Sequence, residues 1–539
     1  MLLLCPLLLL ALPSSTYAQS APVVDLGYAQ YQGKVDVKTG NTHFFSLRYA
    51  APPTGDLRFA APQPPLNATG IQQAIYLPPR CLQSPGGTAA TSPFASLYKR
   101  ADATVNDDTE DCLYVNVYTP GTLNTTAKLP VVVWLHGGGY ALGGAIGLDG
   151  TDIQNGDDLI MESGNGVIVV VVQYRLGLFG FLAGDKVKKG GALNAGLLDQ
   201  QFALQWVQKY ISKFGGDPAA VTLWGVSAGA GSVLQQLVAN NGATNPPLFR
   251  AAITSSTYLP SQYAYNDVVP EALYTQVVSG AKCTSASDTL ACLRKVSTTD
   301  LQAVNVAVAN TSFYGMDNFV PVVDGTFITQ RPSLAIKSGK LNAKTLYSVT
   351  NPLEGGSFVD SSLASTLDVQ TFVKNLFPAL SDAQALAASA QYAGLGSNFS
   401  QAVLIMGEAI YQCPTYFLLK AYGDKTYKGQ FAIPPGVHAL DFYYYFPSSN
   451  AMGYRQYFND DFQVAFAGSF LKFARFLNPN TRINSTDITP AWAPWSTTHT
   501  EMRFNRTDAG APDVKTFKTD DALLTRCSFW DSVSDKTAQ

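Results

Sequence analysis

Four stretches of the chain are apolar without interruption: Leu129–His136 (LPVVVWLH), Val167–Tyr174 (VIVVVVQY), Val221–Ser227 (VTLWGVS) and Thr345–Thr350 (TLYSVT). A strand with one face in water alternates apolar and polar residues. Runs without alternation predict strands covered on both faces, as in a parallel sheet between helices. Between the second and third runs lies LLDQQFALQWVQKYISKF, Leu197–Phe214, in which Leu197, Phe202, Leu204, Trp206, Val207 and Ile211 recur at roughly helical spacing. Strand, helix, strand in this order predicts a parallel βαβ unit. Further on, Ser381–Leu395 and Asp461–Leu477 predict more helix. The fold class is therefore α/β.

Composition sharpens this picture. Only 14% of the 539 residues are charged, against about 25% in an average globular chain, which excludes a solvated, disordered protein. A net charge of −3, from 36 basic and 39 acidic residues, argues against a nucleic-acid partner. Length alone suggests several domains, but no repeat or low-complexity linker divides the chain, and the candidate chemistry is spread along it. Residues 19–539 are expected to form a single catalytic domain.

The first 18 residues stand apart: a leucine-rich core is followed by Thr16 and Ala18 at the −3 and −1 positions of a cleavage site before Gln19. Its 11 mostly apolar residues are short of the roughly 20 that span a bilayer. A signal peptide over residues 1–18 and secretion are expected. No later apolar run reads as long enough to span a membrane, so no integral membrane contact is expected. With Cys5 removed, Cys81, Cys112, Cys283, Cys292, Cys413 and Cys527 remain. An even number in an oxidising compartment reads as three disulfides, with 15 possible pairings. Six N-x-S/T sequons, at Asn67, Asn124, Asn310, Asn398, Asn484 and Asn505, are N-glycosylation candidates.

The candidate chemistry begins at Gly225–Ala230, GVSAGA, which contains G-x-S-x-G. By itself the pattern is short and common. Here it ends an apolar run and leads into AGSVLQQLVAN, a predicted helix, and strand, tight turn and helix make a nucleophile elbow exposing Ser227. Upstream, HGGGY (His136–Tyr140) ends another apolar run. Its glycines leave backbone N–H groups free to turn toward an oxygen, so Gly138 and Gly139, with the N–H of Ala228, are the candidate oxyanion donors. The base must be one of four histidines, His43, His136, His438 or His499. His136 belongs to the glycine loop and His43 precedes every other motif. Elbow hydrolases run serine, acid, histidine. His438 follows a strand-like run and a Pro-Pro-Gly loop, whereas His499 lies in a polar stretch and reads as a surface residue. For the acid, Glu354 at the end of TLYSVTNPLEGG and Asp324 in PVVDG both close apolar runs. These residues alone leave both open.

The chain resembles the type-B carboxylesterase and lipase family, which includes cholinesterases and fungal secreted lipases. The resemblance extends over residues 25–530. It is carried by Phe214–Gly229 (FGGDPAAVTLWGVSAG) and Glu110–Tyr118 (EDCLYVNVY), and supported by NAGLLDQQFALQWV and QYRLGLFGFL. It implies an α/β-hydrolase fold, with a large, mostly parallel sheet flanked by helices, and Glu354 as the acid beside Ser227 and His438. It also implies disulfides Cys81–Cys112 and Cys283–Cys292, while Cys413 and Cys527 look like the third cholinesterase bridge. Arg58 and Glu110 would form a structural ion pair, and the loop from Cys81 to Cys112 would be the lid.

Two departures bear on the substrate. Val226 stands where cholinesterases carry a glutamate, and the Cys81–Cys112 loop has no Trp to hold a quaternary ammonium. Choline esters are set aside. The loop's main apolar residues are Phe94, Leu97 and Tyr98, a thin face for adsorbing to oil. The expectation is a secreted serine carboxylic-ester hydrolase acting on soluble or moderately apolar esters through an acyl-enzyme. It would be a monomer or weak homodimer, with a small-molecule or lipid ester as its partner and no metal or organic cofactor. The alternatives are a triacylglycerol lipase with interfacial activation and, more remotely, a non-catalytic cholinesterase-like binding protein. Ser227, Glu354, His438 and the glycine loop are all present, which argues against the last.

Overall fold

The computed structural model describes residues 21–87, 108–146 and 153–539. The leader with Cys5, and the lid residues Phe94, Leu97 and Tyr98, lie outside the described residues. A small sheet is formed by β1 (Val23–Asp25), β2 (Gln30–Gln32) and β5 (Ile71–Gln73). The large sheet is built from β3 (Lys34–Val35), β4 (Thr42–Arg48), β6 (Tyr114–Thr119), β7 (Leu129–Leu135), β8 (Ile168–Val172), β9 (Gly216–Val226), β10 (Ala251–Ser255), β11 (Leu346–Thr350), β12 (Thr426–Phe431), β13 (Thr500–Arg506) and β14 (Pro512–Lys518). Its order is β14-β13-β12-β11-β10-β9-β7-β8-β6-β4-β3. From β8 across to β13 every pairing is parallel, and the pairings beyond are antiparallel.

The unbroken apolar runs form the centre of this sheet for the reason their composition suggested. Along β7, Val131, Val133 and Leu135 enter one hydrophobic core while Val132 and Trp134 enter another across the sheet. β8 divides the same way, with Ile168, Val170 and Val172 against Val169 and Val171. Each face therefore needs apolar side chains at every second position, and two such faces leave no polar position. The helix between β8 and β9 spans Ala195–Tyr210 and tightens into a 3-10 turn over Ile211–Phe214. Its two strands are parallel but not neighbours, because β7 lies between them. Local pattern specifies a strand but not its neighbour.

One expectation is corrected. The helical stretch Asn398–Lys425 is long and apolar enough, by length and composition, to cross a membrane. It is largely buried inside the protein instead. Near its middle, Glu408 accepts from the Arg526 guanidinium at 2.7 and 2.8 Å and from the Tyr392 hydroxyl at 2.8 Å. A carboxylate needing three partners marks this stretch as a core helix.

Among the described residues three disulfides are present: Cys81–Cys112, Cys283–Cys292 and Cys413–Cys527. Arg58 and Glu110 are both buried and make a bidentate pair at 2.5 and 2.7 Å. The same guanidinium donates to the carbonyls of Leu293, Arg294 and Val296. Residues beside two of the disulfides are thus tied to one cation, which fixes the base of the loop closed by Cys81 and Cys112.

Candidate active site

The parallel strands deliver the candidate residues to one edge of the sheet. Ser227 follows β9, His136 to Tyr140 follow β7, Glu354 follows β11 and His438 follows β12. This is the carboxyl end of the strands, where α/β sheets place their ligands.

Ser227 sits between β9 and the helix Ala228–Val238 with φ 57° and ψ −125°, a left-handed conformation that costs a residue with a Cβ about 1–3 kcal/mol. The surroundings enforce it. The Ser227 N–H donates to the Ser255 carbonyl at 2.9 Å, and its own carbonyl accepts from Gly231 at 2.8 Å. A side chain at Gly225 would strike the Gly229 backbone, and one at Gly229 would strike the Leu135 carbonyl. The turn can therefore close only with glycine at both positions.

Across it, the loop after β7 presents Gly138 at φ 110° and Gly139 at φ 67°. The Gly138 carbonyl is occupied by the N–H groups of Ala141 and Leu142 at 3.0 and 2.8 Å. Gly137 was not singled out from the sequence, yet a Cβ there would lie 3.1 Å from that of Ser227. His136 is buried and stacks on Tyr174 at 4.3 Å, with Nδ1 2.9 Å from the Gly137 carbonyl oxygen. Burial holds its pKa down to about 4, so it stays neutral at physiological pH.

His438 Nε2 lies 2.8 Å from the Ser227 hydroxyl oxygen, and its Nδ1 lies 2.6 Å from Glu354 Oε2. Glu354 is fully buried. Its other oxygen accepts from the Ser256 hydroxyl at 2.8 Å and the Asn351 N–H at 2.6 Å. These donors fix the orientation of the carboxylate against the imidazole. Phe358 packs edge-on against the imidazole at 5.0 Å, and the Tyr411 ring lies tilted beside it at 4.4 Å.

Sequence reading missed the layer behind this pair. Asn351 Nδ2 donates to Asp441 Oδ1 at 3.1 Å, and Asp441 Oδ2 accepts from the Tyr445 hydroxyl at 2.7 Å. Tyr445 in turn accepts from Ser255 at 3.1 Å, and Ser255 from the Trp224 indole at 3.2 Å. Trp224 is on β9, so the chain of bonds returns to the strand that carries Ser227. Asp441 is fully enclosed, and burial, with the charge of Glu354 adding, raises its pKa to about 6. Its place three residues after His438 was the one signal available.

The other candidates lie elsewhere. Asp324 holds a turn, accepting from the N–H groups of Thr326 and Phe327 at 2.7 Å each and from the Asn194 amide at 2.6 Å. His499 is exposed and stacks on Trp495 at 4.7 Å. His43 pairs with Asp157 at 2.9 Å. Of the six sequon asparagines, Asn67, Asn124, Asn310, Asn398 and Asn484 are exposed, while Asn505 is half-buried in β13.

A model of the carboxylesterase family matches residues 20–530. The chain belongs to the carboxylesterase family. It is 32% identical to Lipase 4 of Diutina rugosa over 470 residues, covering 82% of this chain and 84% of that one. It is likewise 32% identical to Carboxylesterase 1E of Mus musculus, over 78% of this chain and 77% of the relative. Among solved structures, Aspergillus niger EstA superposes with a TM-score of 0.83 at 30% identity, covering 96% of this chain and 99% of that chain. This carboxylesterase-family protein is a carboxylic-ester hydrolase with the α/β-hydrolase fold. The residue before its candidate nucleophile, Val226, is buried and adds no charge to the site.

Proposed function

We propose that the protein cleaves carboxylic esters with Ser227 as nucleophile, His438 as general base and Glu354 as the carboxylate that orients and charges-balances the imidazole. The observation that carries this reading is the continuous pair of hydrogen bonds, 2.8 Å from Ser227 to His438 and 2.6 Å from His438 to Glu354. His438 takes the serine proton as Oγ attacks the ester carbonyl. The N–H groups of Gly138, Gly139 and Ala228 receive the developing oxyanion. The imidazolium then gives its proton to the leaving alcohol, and water, activated in the same way, releases the acid from the acyl-enzyme.

Residues 19–539 act as one catalytic domain with a lid over 81–112, and residues 1–18 direct the chain out of the cell. The three disulfides suit an oxidising compartment. The preferred substrates are soluble or moderately apolar esters, because the lid sequence carries few large apolar residues. The second reading, a triacylglycerol lipase, is favoured by the similarity to a relative named a lipase. A sharp rise in rate once an ester exceeds its solubility limit would decide for it.

Ser227→Ala tests the triad. It should lose about 10³-fold or more in kcat while folding normally, and His438→Ala should lose as much. The double variant should be little worse than either, since the two act as a unit. Near wild-type turnover in either single variant contradicts the assignment.

A further inference from the structure

The two glycine N–H groups assigned to the oxyanion are each aimed from behind. A trans peptide is planar, so its carbonyl oxygen and its N–H point in opposite directions, and whatever holds the carbonyl also fixes the N–H. The Gly138 N–H shares a peptide with the Gly137 carbonyl, whose oxygen lies 2.9 Å from His136 Nδ1. The Gly139 N–H shares one with the Gly138 carbonyl, which accepts from the N–H groups of Ala141 and Leu142. The aim of both donors therefore depends on His136 and on the stretch that follows Tyr140.

That stretch is held by the base of the loop closed by Cys81 and Cys112. The Ser84 N–H donates to the Ala141 carbonyl at 2.8 Å, fixing the peptide that carries the Leu142 N–H. The buried Gln83 side chain takes the next two peptides. Its Oε1 accepts from the Gly143 N–H at 2.7 Å, and its Nε2 donates to the Gly143 carbonyl at 2.9 Å. The second Nε2 hydrogen goes to the Cys81 carbonyl at 2.6 Å. Both amide hydrogens and the amide oxygen are thus committed, which leaves the side chain no freedom to turn. Gly143 lies directly behind His136, since a Cβ on it would strike the imidazole at Nδ1. One clamp therefore backs both anchors. It holds Gly143 against the imidazole behind Gly138, and it holds the peptide that follows the Leu142 N–H behind Gly139.

We propose that Gln83 is a positioning residue for the reaction, keeping the Gly138 and Gly139 N–H groups on aim by clamping Gly143 to the disulfide-tied loop base. The inference rests on the catalytic reading above, and its test separates the two. Oxyanion donors work because they are in place before the charge develops. Loosening them weakens the transition state and leaves the bound ester alone, which lowers kcat without raising KM.

Hydrolysis of p-nitrophenyl butanoate and inhibition by 1,1,1-trifluoroheptan-2-one would be measured in wild type, Gln83→Met and Gln83→Asn. In the inhibited enzyme Ser227 Oγ adds to the ketone carbon, the carbonyl π pair moves to its oxygen, and the serine proton passes to His438, so the product carries an oxyanion. Methionine fills the space and bonds neither group of Gly143. Asparagine withdraws the amide by one methylene while keeping the site polar, and it reports where the methionine variant does not fold. Rates are expressed per serine labelled to completion with a fluorophosphonate, so that a variant that only folds less well gives wild-type constants. In the variants kcat should fall and Ki for the ketone should rise by at least ~5-fold each, with KM for the ester within ~3-fold of wild type. A folded variant whose Ki rises less than that would overturn the proposal, whatever happens to KM. A wild-type enzyme that neither hydrolyses the ester nor binds the ketone would count against the catalytic reading itself.

Discussion

The two halves of the candidate triad are held by different physics. The Ser227 half is fixed by backbone and steric exclusion: a strand, a left-handed residue at φ 57°, and glycines at 225 and 229 where any side chain would strike main-chain atoms. The Glu354–His438 half is fixed by side chains on separate loops, through Ser256, Asn351, Asp441 and Tyr445. Steric exclusion is all or nothing, whereas a hydrogen-bond web yields by degrees. The first half should break abruptly under substitution and the second in graded steps.

The largest effect is expected from Gly229→Val. Its side chain would run into the carbonyls of Leu135 and His136, so the variant should lose the folded state or all measurable esterase activity. Thermal denaturation beside an ester assay distinguishes these. A folded, active variant would show that the elbow has slack. On the other half, Glu354→Gln removes charge but keeps shape, and kcat should fall by up to about 10⁴-fold, as when a triad acid becomes its amide. Asp324→Asn should stay within a few fold in kcat, because that carboxylate bonds only a distant turn and Asn194.

The smallest effect sharpens the comparison through pH. Asp441 has its pKa raised from 3.8 to about 6 in the folded protein, by burial first. The native state therefore binds this proton more tightly than the unfolded chain does. Its contribution to stability is full below pH ~4 and is lost as pH rises toward ~6. Asp441→Asn removes that titration, so relative to wild type the variant should gain stability between pH 4 and pH 7.5. Urea midpoints at the two pH values check this, and an unchanged difference would mean that Asp441 does not titrate there.

Much of the first half was legible in the sequence, because its determinants are consecutive. GVSAGA carries strand end, nucleophile and both required glycines within six residues, and HGGGY does the same for the facing loop. The second half was legible only in part. His438 stood out by its lead-in and chain order. Glu354 and Asp324 both close apolar runs, and what separates them is tertiary: one carboxylate meets an imidazole and the other caps a turn. Asp441, Asn351 and Ser256 gave little signal, because their meeting depends on the register of β10, β11 and β12 in the sheet. The strand runs were readable from burial on both faces, but the insertion of β7 between β8 and β9 was not, since neighbour choice leaves no local mark. The apolar stretch Asn398–Lys425 went unnoticed because its polar residues interrupt the run, although the helix they share is long.

The central claim is that Ser227, made nucleophilic by His438 and Glu354, carries the acyl group. Labelling with a fluorophosphonate, followed by peptide mapping of the modified protein, tests it most directly. The account predicts one adduct, on the Ser227 hydroxyl, forming in step with the loss of esterase activity and absent from His438→Ala on the same timescale. Loss of activity with the adduct on another residue, or ester hydrolysis that persists with Ser227 fully modified, would contradict it.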